Sequence, residues 1–363
     1  AGVKIQNYWQ PKPPGSLRLK DDDAYVDAAR HHLERAVRAR LRGANGVVGA
    51  HLSAGYDSAS VATTAARVMA PSGGRVVAFT HVPREGYDGP APPRRIGDEG
   101  PLAAATAAMH SNIEHVRIAT RRQSPLANMD RNAFLFERPV LNLCNHVWIE
   151  SINSEARSRK IGIVLTGQMG NMTLSYSGTE RLAELLGSGH LFTLMRECWA
   201  LLANKDMRFP GMVAHTIFPF LPAWMWRMAS RIMTGTKWDV TQYSAINGER
   251  LASMDMASLA RERGLDPSYR PWKNGFAMRR WVLQRVDLGN YNHGILAGWG
   301  IDQRDATSDK AFTEFCLSLP QDQYLKDGLQ RRLAKRVLAD RLPREDRKIT
   351  RLNSSHITIS YAV

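Results

Sequence analysis

The chain has 363 residues, of which 44% are hydrophobic and 23% are charged, and it carries a net charge of +15. Its apolar content excludes a wholly disordered chain, and its length predicts a main domain with a subsidiary one. The three cysteines, Cys144, Cys198 and Cys316, have no CxxC spacing. They indicate neither a disulfide framework nor a zinc site, and a reducing cytoplasm fits them best.

Strand and helix patterns alternate through the first half of the chain. Apolar residues at helical spacing over 26–41 predict a first helix, which Gly43 and Asn45 end. The predicted strands that follow are 47–52, 76–80, 115–118 and 161–166, and the predicted helices are 59–69, 101–109 and 145–159. This alternation predicts an α/β fold with a doubly wound parallel sheet. The proline- and glycine-rich stretch 83–100 predicts a mobile loop over one sheet edge.

After Gly178 the strand patterns fade, so we expect the rest of the chain to be helical. The one long apolar run is 209–226, and it contains His215 and three prolines. Prolines at these positions argue against a spanning helix. A buried or substrate-facing helical hairpin is favoured over peripheral membrane contact.

Basic residues concentrate near the end of the chain, where ten Lys and Arg stand against four acids from Lys326 to Arg351. Such a cluster can bind nucleic acid, a polyphosphate or an acidic peptide, and it can also be a solvated helix face. No recognisable nucleic-acid module accompanies it in the sequence. A phosphate-bearing small molecule is therefore the better candidate, and we expect no nucleic-acid partner.

The most informative motif is LSAGYDS, residues 52–58, between a predicted strand and a predicted helix. At such a junction backbone N–H groups converge with the positive helix end, and Gly55 lets a phosphate approach closely. Ser53 and Ser58 add hydroxyl donors, and Asp57 can hold Mg²⁺ against phosphate oxygens. The lysine of a Walker A motif is absent, and a turn of this composition alone is more often only a turn.

Five motifs in chain order resemble the asparagine synthetase family of N-type ATP pyrophosphatases. SAGYDS resembles its SGGxDS pyrophosphate loop, with Ala54 in place of the first glycine. The other four matches are Asp98-Glu99 with the family's DE, LTGQMGN (165–171) with its second loop, GIDQRDATSD (300–309) with GVEARVPFLD, and Leu342-Pro343 with its late LP. The resemblance implies a five-stranded PP-loop sheet of the adenine nucleotide alpha hydrolase-like type, a helical C-terminal region, and the use of ATP and Mg²⁺.

The resemblance also implies a division of the chain. Residues 1–43 match a linker and leading helix after a missing glutaminase-like domain, and 44–177 match the PP-loop ATP pyrophosphatase core. Residues 178–348 match the helical substrate-binding and C-terminal part of the synthetase domain. The stretch RLNSSHITISYAV at the end resembles sequencing-adapter read-through. We therefore expect 349–363 to be a non-native tail that packs poorly.

By the same resemblance, particular residues acquire expected roles. Asp57 and Asn171 would hold the metal, although Asn171 replaces an aspartate of the family and can equally be only a loop residue. Asp302 matches the glutamate of GVEAR and would deprotonate the attacking amine, unless it pairs with Arg304 or caps a helix. Arg331 stands at the position of the family's lysine that stabilises adenylation, with Lys326 and Lys335 nearby. The residues expected to bind the nucleotide are Leu52, Ser53, Ala54, Gly55, Tyr56, Asp57, Ser58, Thr80 and Gly167.

Within the family, three stretches are more similar to lasso peptide cyclases: ERPVLNLCNHVW (137–148), the GN of the second loop and RDATSDKAFTEFCLSLP (304–320). Such a cyclase adenylates an Asp or Glu side chain of a precursor peptide, and the peptide's N-terminal amine then closes a macrolactam. The implied partners are the precursor peptide, a leader-peptide-binding protein and a leader peptidase, in the cytoplasm. Two alternatives stay open: a glutamine-hydrolysing asparagine synthase, and a catalytically silent nucleotide- or peptide-binding module.

Overall fold

The central sheet consists of five parallel strands. They are β1 (Val47–His51), β2 (Arg75–Val82), β3 (Ile113–Ala119), β4 (Ile163–Thr166) and β5 (Asp302–Asp305). Their order across the sheet is β3-β2-β1-β4-β5. The predicted α/β class with a five-stranded doubly wound parallel sheet is confirmed. The chain reverses its direction of travel across the sheet between β1 and β4, and ligands of such sheets bind at that switch point.

The structure is a computed structural model that describes residues 9–11, 17–87, 96–120, 124–140, 143–234, 247–264, 266 and 269–343. Residues 88–95 of the predicted loop and the predicted tail from 349 lie outside this part. The α-helices of the described residues are α1 (Asp22–Arg40), α2 (Tyr56–Met69), α3 (Gly100–Ala108), α4 (Met129–Phe136), α5 (Leu143–Ser158), α6 (Arg181–Gly187), α7 (Leu191–Ala203), α8 (Phe209–Thr216), α9 (Ala223–Thr234), α10 (Gly248–Ser253), α11 (Met256–Glu262), α12 (Gly275–Leu283), α13 (Leu288–Trp299), α14 (Lys310–Ser318) and α15 (Arg332–Val337).

Helices cover both faces of the sheet because its inner strands are apolar on both faces. Val48 and Ala50 pack with α1 and α2 in one core cluster. Val77 and Phe79 of the neighbouring strand pack with α5 and α13 in the second cluster. Between them, Gly49 leaves room for close packing, since a Cβ there would lie 2.9 Å from Val164 Cγ2.

The pairing of β1 with β4 places two loops side by side at the carboxyl edge of the sheet. Gly49 pairs with Val164 and Ala50 pairs with Leu165. The LSAGYDS loop (52–58) and the second loop (167–171) therefore leave the sheet from neighbouring strands. The topology, rather than any local propensity, brings the two predicted phosphate motifs together.

Part of the basic C-terminal cluster holds the last helix against α1. Arg332 forms an ion pair with Asp22, and Arg336 Nη1 lies 3.7 Å from the same carboxylate. The hydrogen bond from Arg332 holds the pKa of Asp22 well below its usual range. Arg341, which is almost completely buried, pairs with Glu34 of α1 at 3.1 Å. These three arginines therefore form ion pairs within the fold and are not available to bind a polyanion.

The expectation of a purely helical second half is wrong at two places. β5 joins the core sheet, so that sheet is not confined to residues 44–177, and β6 (Leu325–Lys326) pairs antiparallel with β7 (Leu329–Gln330). The sequence of β5, DQRD, carries no apolar side chain. This strand lies at the edge of the sheet, where it pairs with β4. Strands of this kind lack the apolar alternation by which strands are predicted.

The apolar run 209–226 forms helices, as predicted, but much of it is not buried. α8 is followed by a short 3₁₀ turn over Phe218–Phe220 and by the first turn of α9. Phe209 is 62% exposed and Trp224 is 57% exposed. Among the described residues, no helix combines the length and the apolar character that crossing a membrane requires.

Candidate active site

The loop over 52–58 is braced by its own two serines. Ser53 Oγ and Ser58 Oγ lie 2.7 Å apart, and the Ser53 N–H donates to Ser58 Oγ at 3.0 Å. The Gly55 N–H donates to Ser53 Oγ at 3.1 Å. Gly55 is also the N-cap of α2, and it provides no side-chain cap for the first turn of that helix. The positive end of α2 therefore points into the loop, where an anion is favoured.

A carboxylate from the next motif anchors this loop. Glu99 Oε2 accepts a hydrogen bond of 3.0 Å from the Ala54 N–H. The neighbouring Asp98 accepts from the Gly100 N–H at 2.8 Å and so fixes the start of α3. The Asp98-Glu99 pair, noted in the sequence only as a resemblance, thus supports the loop from the β2 side.

Leu52 and Thr80 lie beneath the loop rather than on its surface. Both side chains are almost completely buried, and Thr80 Oγ1 donates to the Leu52 carbonyl at 2.7 Å. His115 Nε2 lies 2.9 Å from the same hydroxyl. The Thr80 hydroxyl therefore makes its contacts with groups beneath the loop. Contact of a nucleotide with either residue stays a prediction.

The two loops meet at Asp57. A Cβ at Gly167 would lie 2.3 Å from the Asp57 carbonyl oxygen, and one at Gly170 would lie 2.5 Å from Asp57 Oδ1. The Ser175 hydroxyl, just beyond the second loop, donates to that same carboxylate oxygen. Asn171 follows Gly170 directly, within the 3₁₀ turn Gly170–Met172. The structure thus brings the predicted metal residues Asp57 and Asn171 into one neighbourhood.

Two basic residues of the C-terminal cluster belong to the same neighbourhood. Burial raises the pKa of Asp57, and the nearby charge of Arg331 and the hydrogen bond from Ser175 lower it. Burial, followed by the charge of Arg331, lowers the pKa of Lys335 to about 8. The charge of Arg331 therefore acts on both the Asp57 carboxylate and the Lys335 ammonium. Lys326 lies farther back along the chain, in β6, and its predicted role stays a prediction.

Sequence reasoning missed Asp206, which lies beside this group. Its Oδ2 atom is 4.0 Å from Lys335 Nζ, and its side chain is only 15% exposed. Asp206 follows α7, far from any recognised motif, and its backbone carbonyl accepts from Gln330 at 3.2 Å. Only the packing of α7 against the β6–β7 hairpin brings it here, so no local pattern could have indicated it.

The second residue that was missed is Asp305, which fixes the second loop. Its Oδ2 atom accepts from the Met169 N–H at 2.9 Å, and its Oδ1 atom accepts from the Thr307 N–H at 2.8 Å and hydroxyl at 2.6 Å. Burial raises the pKa of Asp305 to about 6, against the effect of these hydrogen bonds. Asp305 lies within the recognised motif 300–309, but it does not match an acid of GVEARVPFLD.

Asp302 lies at the amino-terminal end of the parallel strands, whereas the phosphate loop follows their carboxyl-terminal end. It pairs with Ile163 at the start of β4, whereas Asp305 pairs with Thr166 at the end. Asp302 and Asp305 are three residues apart along β5, so about 10 Å separates the two ends of the strand. Asp302 Oδ2 instead accepts from Arg304 at 2.6 Å, which is the alternative arrangement that the sequence had left open. The expected role of Asp302 as a base at this loop does not fit its position.

We expect Asp302→Asn to leave catalysis close to that of the parent protein. The Asp302–Arg304 pair is partly exposed, so its loss should lower the free energy of unfolding by about 0.2–1 kcal/mol. Arg304 keeps its hydrogen bonds to the Arg40 and Arg42 carbonyls and so remains in place. The rate of amide formation in the complete reaction, measured beside thermal unfolding, checks both statements, because the expected base would act on the amine. A large loss of amide formation in a folded variant would restore Asp302 to the active site.

The parallel five-stranded sheet, the open helix end after β1 and the second loop after β4 define a PP-loop domain of the adenine nucleotide alpha hydrolase-like type. A family model described as asparagine synthase matches residues 28–349. The chain therefore belongs to the asparagine synthase family and is an ATP-dependent amide-forming ligase of that type. No curated protein matches the chain significantly.

Proposed function

We propose that this protein is an AMP-forming ligase that adenylates a carboxylate and couples it to an amine, and that its reaction is lasso peptide macrolactam cyclisation. The observation that carries the AMP-forming chemistry is the meeting of the two loops at Asp57, where the charge of Arg331 acts on that carboxylate and also on Lys335. The choice of peptide substrate rests on the three stretches that are similar to lasso peptide cyclases. The proposed partners follow from it: a precursor peptide, a leader-peptide-binding protein and a leader peptidase.

The chemistry explains why these groups stand together. A carboxylate oxygen attacks the α-phosphorus of ATP, the bond to the β-phosphate oxygen breaks, and pyrophosphate leaves. The open N-terminus of α2 and the Ser53–Ser58 pair offer donors to pyrophosphate oxygens, and Arg331 and Lys335 offset the charge that develops on it. The amine then attacks the acyl carbon, AMP leaves, and the amide bond forms.

The residues present fit Mg²⁺ only together with ATP. Among the described residues, no group of three or more His, Cys, Asp or Glu side chains can hold a metal. Asp57 supplies one partly buried carboxylate and Asn171 one amide oxygen, and Mg²⁺ is commonly held by one or two carboxylates plus substrate phosphates. When bound, Mg²⁺ would neutralise phosphate charge. Asn171 supplies no charge of its own, so Asp57 would be the principal protein ligand.

One assay separates the proposal from its alternatives. The protein is incubated with ATP, Mg²⁺ and a precursor peptide freed of its leader, and AMP, pyrophosphate and the mass of the peptide are measured. We expect AMP and a peptide lighter by one water. Asparagine formed from aspartate with ammonia or glutamine would identify an asparagine synthase. No exchange of labelled pyrophosphate into ATP, with any of these carboxylate substrates, would identify a silent binding module.

We expect a loss of activity as the pH rises through about 8, because Lys335 loses its proton there. The charged form is the one that offsets the charge of the leaving pyrophosphate, so kcat/KM for ATP should fall on the alkaline side. Lys335→Arg keeps the charge at every working pH and should remove the alkaline decrease in kcat/KM for ATP. If the alkaline decrease in kcat/KM is unchanged in Lys335→Arg, the titrating group is not Lys335.

A further inference from the structure

α7 and α9 turn large apolar side chains toward solvent. On α7, Phe192 is 77% exposed, Met195 is 63% exposed and Trp199 is 73% exposed. Leu194 and Leu201 of the same helix face inward and pack against Leu182 and Leu325. The exposed residues therefore form the outer side of a helix whose inner side is already packed.

The exposed side of α9 repeats this pattern. Trp224, Met228 and Ile232 follow one another at four-residue spacing, so they line one stripe of the helix, while Ser230 is buried on another side. Arg227 and Arg231 are exposed beside this stripe. We call Phe192, Met195, Trp199, Trp224, Met228 and Ile232, together with the arginines beside them, the α7–α9 apolar–basic residues.

Basic and acidic side chains of this region differ in their exposure to solvent. Between residues 190 and 232 the exposed charged side chains are all basic: Arg196, Lys205, Arg208, Arg227 and Arg231. The two acids of the same stretch face inward. Glu197 accepts from Arg181 at 2.7 Å and from the Gly328 N–H at 3.0 Å, and Asp206 lies beside Lys335. Asp327 of the β6–β7 hairpin is an exposed acid that lies 3.6 Å from Arg196.

We propose that the α7–α9 apolar–basic residues bind the surface of an anionic lipid bilayer. Tryptophan and phenylalanine enter the boundary between headgroups and acyl chains, while arginines reach lipid phosphates, and each of the two helices exposes both kinds of group. A second copy of the chain fits poorly, because it would set these arginines against the same arginines, and Asp327 is already paired with Arg196. The sequence-based preference for a buried hairpin thus gives way to the peripheral contact that it ranked second.

Vesicle flotation with the full chain tests the proposal. The vesicles contain phosphatidylglycerol mixed with phosphatidylcholine, or phosphatidylcholine alone, over a range of salt concentrations. We expect flotation with the anionic vesicles only, weakened by salt. The double variant R227Q/R231Q should bind about 25-fold more weakly, at about fivefold for each basic residue removed. Trp224→Ser should weaken binding as well, whereas R227K/R231K should retain it.

The matched control removes the same charge from α1. Arg35 and Arg38 are exposed arginines three residues apart on that helix, and R35Q/R38Q should float like the parent protein. Equal losses in the two double variants would overturn the proposal in favour of general attraction by net charge. It would also be overturned if no flotation occurs, or if Trp224→Ser abolishes self-association or binding of the leader-peptide-binding protein while vesicles stay unbound. Circular dichroism establishes that each variant is folded.

Discussion

Asp57→Asn is expected to abolish most adenylation while leaving the fold intact. Asparagine keeps the shape of the side chain but removes the negative charge that faces Arg331 and that would hold Mg²⁺ against ATP. Loss of a preorganised electrostatic contact of this kind lowers kcat by about 10²–10³-fold. Exchange of labelled pyrophosphate into ATP measures the first half-reaction alone, so the result does not depend on which amine is the acceptor.

The thermal stability of the same variant distinguishes a local loss from unfolding. Burial raises the pKa of Asp57, which means that the ionised carboxylate is disfavoured in the folded protein. Removing the charge should therefore leave the Tm of Asp57→Asn equal to that of the parent or above it. Asp302→Asn makes the same chemical change at the other edge of the sheet and serves as the matched control. Full exchange in Asp57→Asn would contradict the assignment of this carboxylate.

The sequence predicted the part of the fold that has strong local patterns. Strands β1 to β4 and helices α2, α3 and α5 were located to within a few residues, whereas α4 was not predicted. In β1, β2 and β4, continuous apolar runs mark strands covered on both faces. β5 was missed because its four residues are polar, and it holds its place through pairing with β4. Local patterns do not record such pairing, so an edge strand of this composition becomes visible only in three dimensions.

The candidate site was predictable to a similar extent. Asp57 and Gly167 belong to contiguous loop motifs, and the strand order brings these loops together as expected. Asp302 and Asp305 stand three residues apart in one motif, and the motif alone did not show which of them reaches the carboxyl edge. Asp206 belongs to no motif. Its proximity to Lys335 depends on long-range packing, which a single sequence does not reveal.

The basic C-terminal cluster shows why net charge was an ambiguous guide. Arg332, Arg336 and Arg341 pair with acids of α1, whereas the charge of Arg331 acts on Asp57 of the phosphate loop and on Lys335. Within α15, the adjacent residues Lys335 and Arg336 therefore have different partners, since neighbouring positions of a helix point in different directions. The charge count predicted a polyanion, and the structure separates the residues that can meet one from those that are already neutralised.

Gly167→Ala is expected to disable the site through sterics alone. The added Cβ would lie 2.3 Å from the Asp57 carbonyl oxygen and 3.0 Å from the Ser58 nitrogen. Both atoms belong to the backbone of α2, so the clash cannot be relieved by turning a side chain. Overpacking of this kind costs about 1–3 kcal/mol of the free energy of unfolding, and a displacement of about 1 Å in a reacting group can lower the rate about 10²-fold.

Gly162→Ala is the matched control for this substitution. Gly162 directly precedes β4 at the opposite edge of the sheet, and a Cβ there would meet nothing within 4 Å. We expect its exchange activity and Tm to equal those of the parent, whereas Gly167→Ala should lower both. Because no charged or hydrogen-bonding side chain is altered, a loss confined to Gly167→Ala would show that close contact between the two loops is itself required for adenylation. Unimpaired exchange in Gly167→Ala would mean that the loops separate without consequence, and that Asp57 acts independently of the second loop.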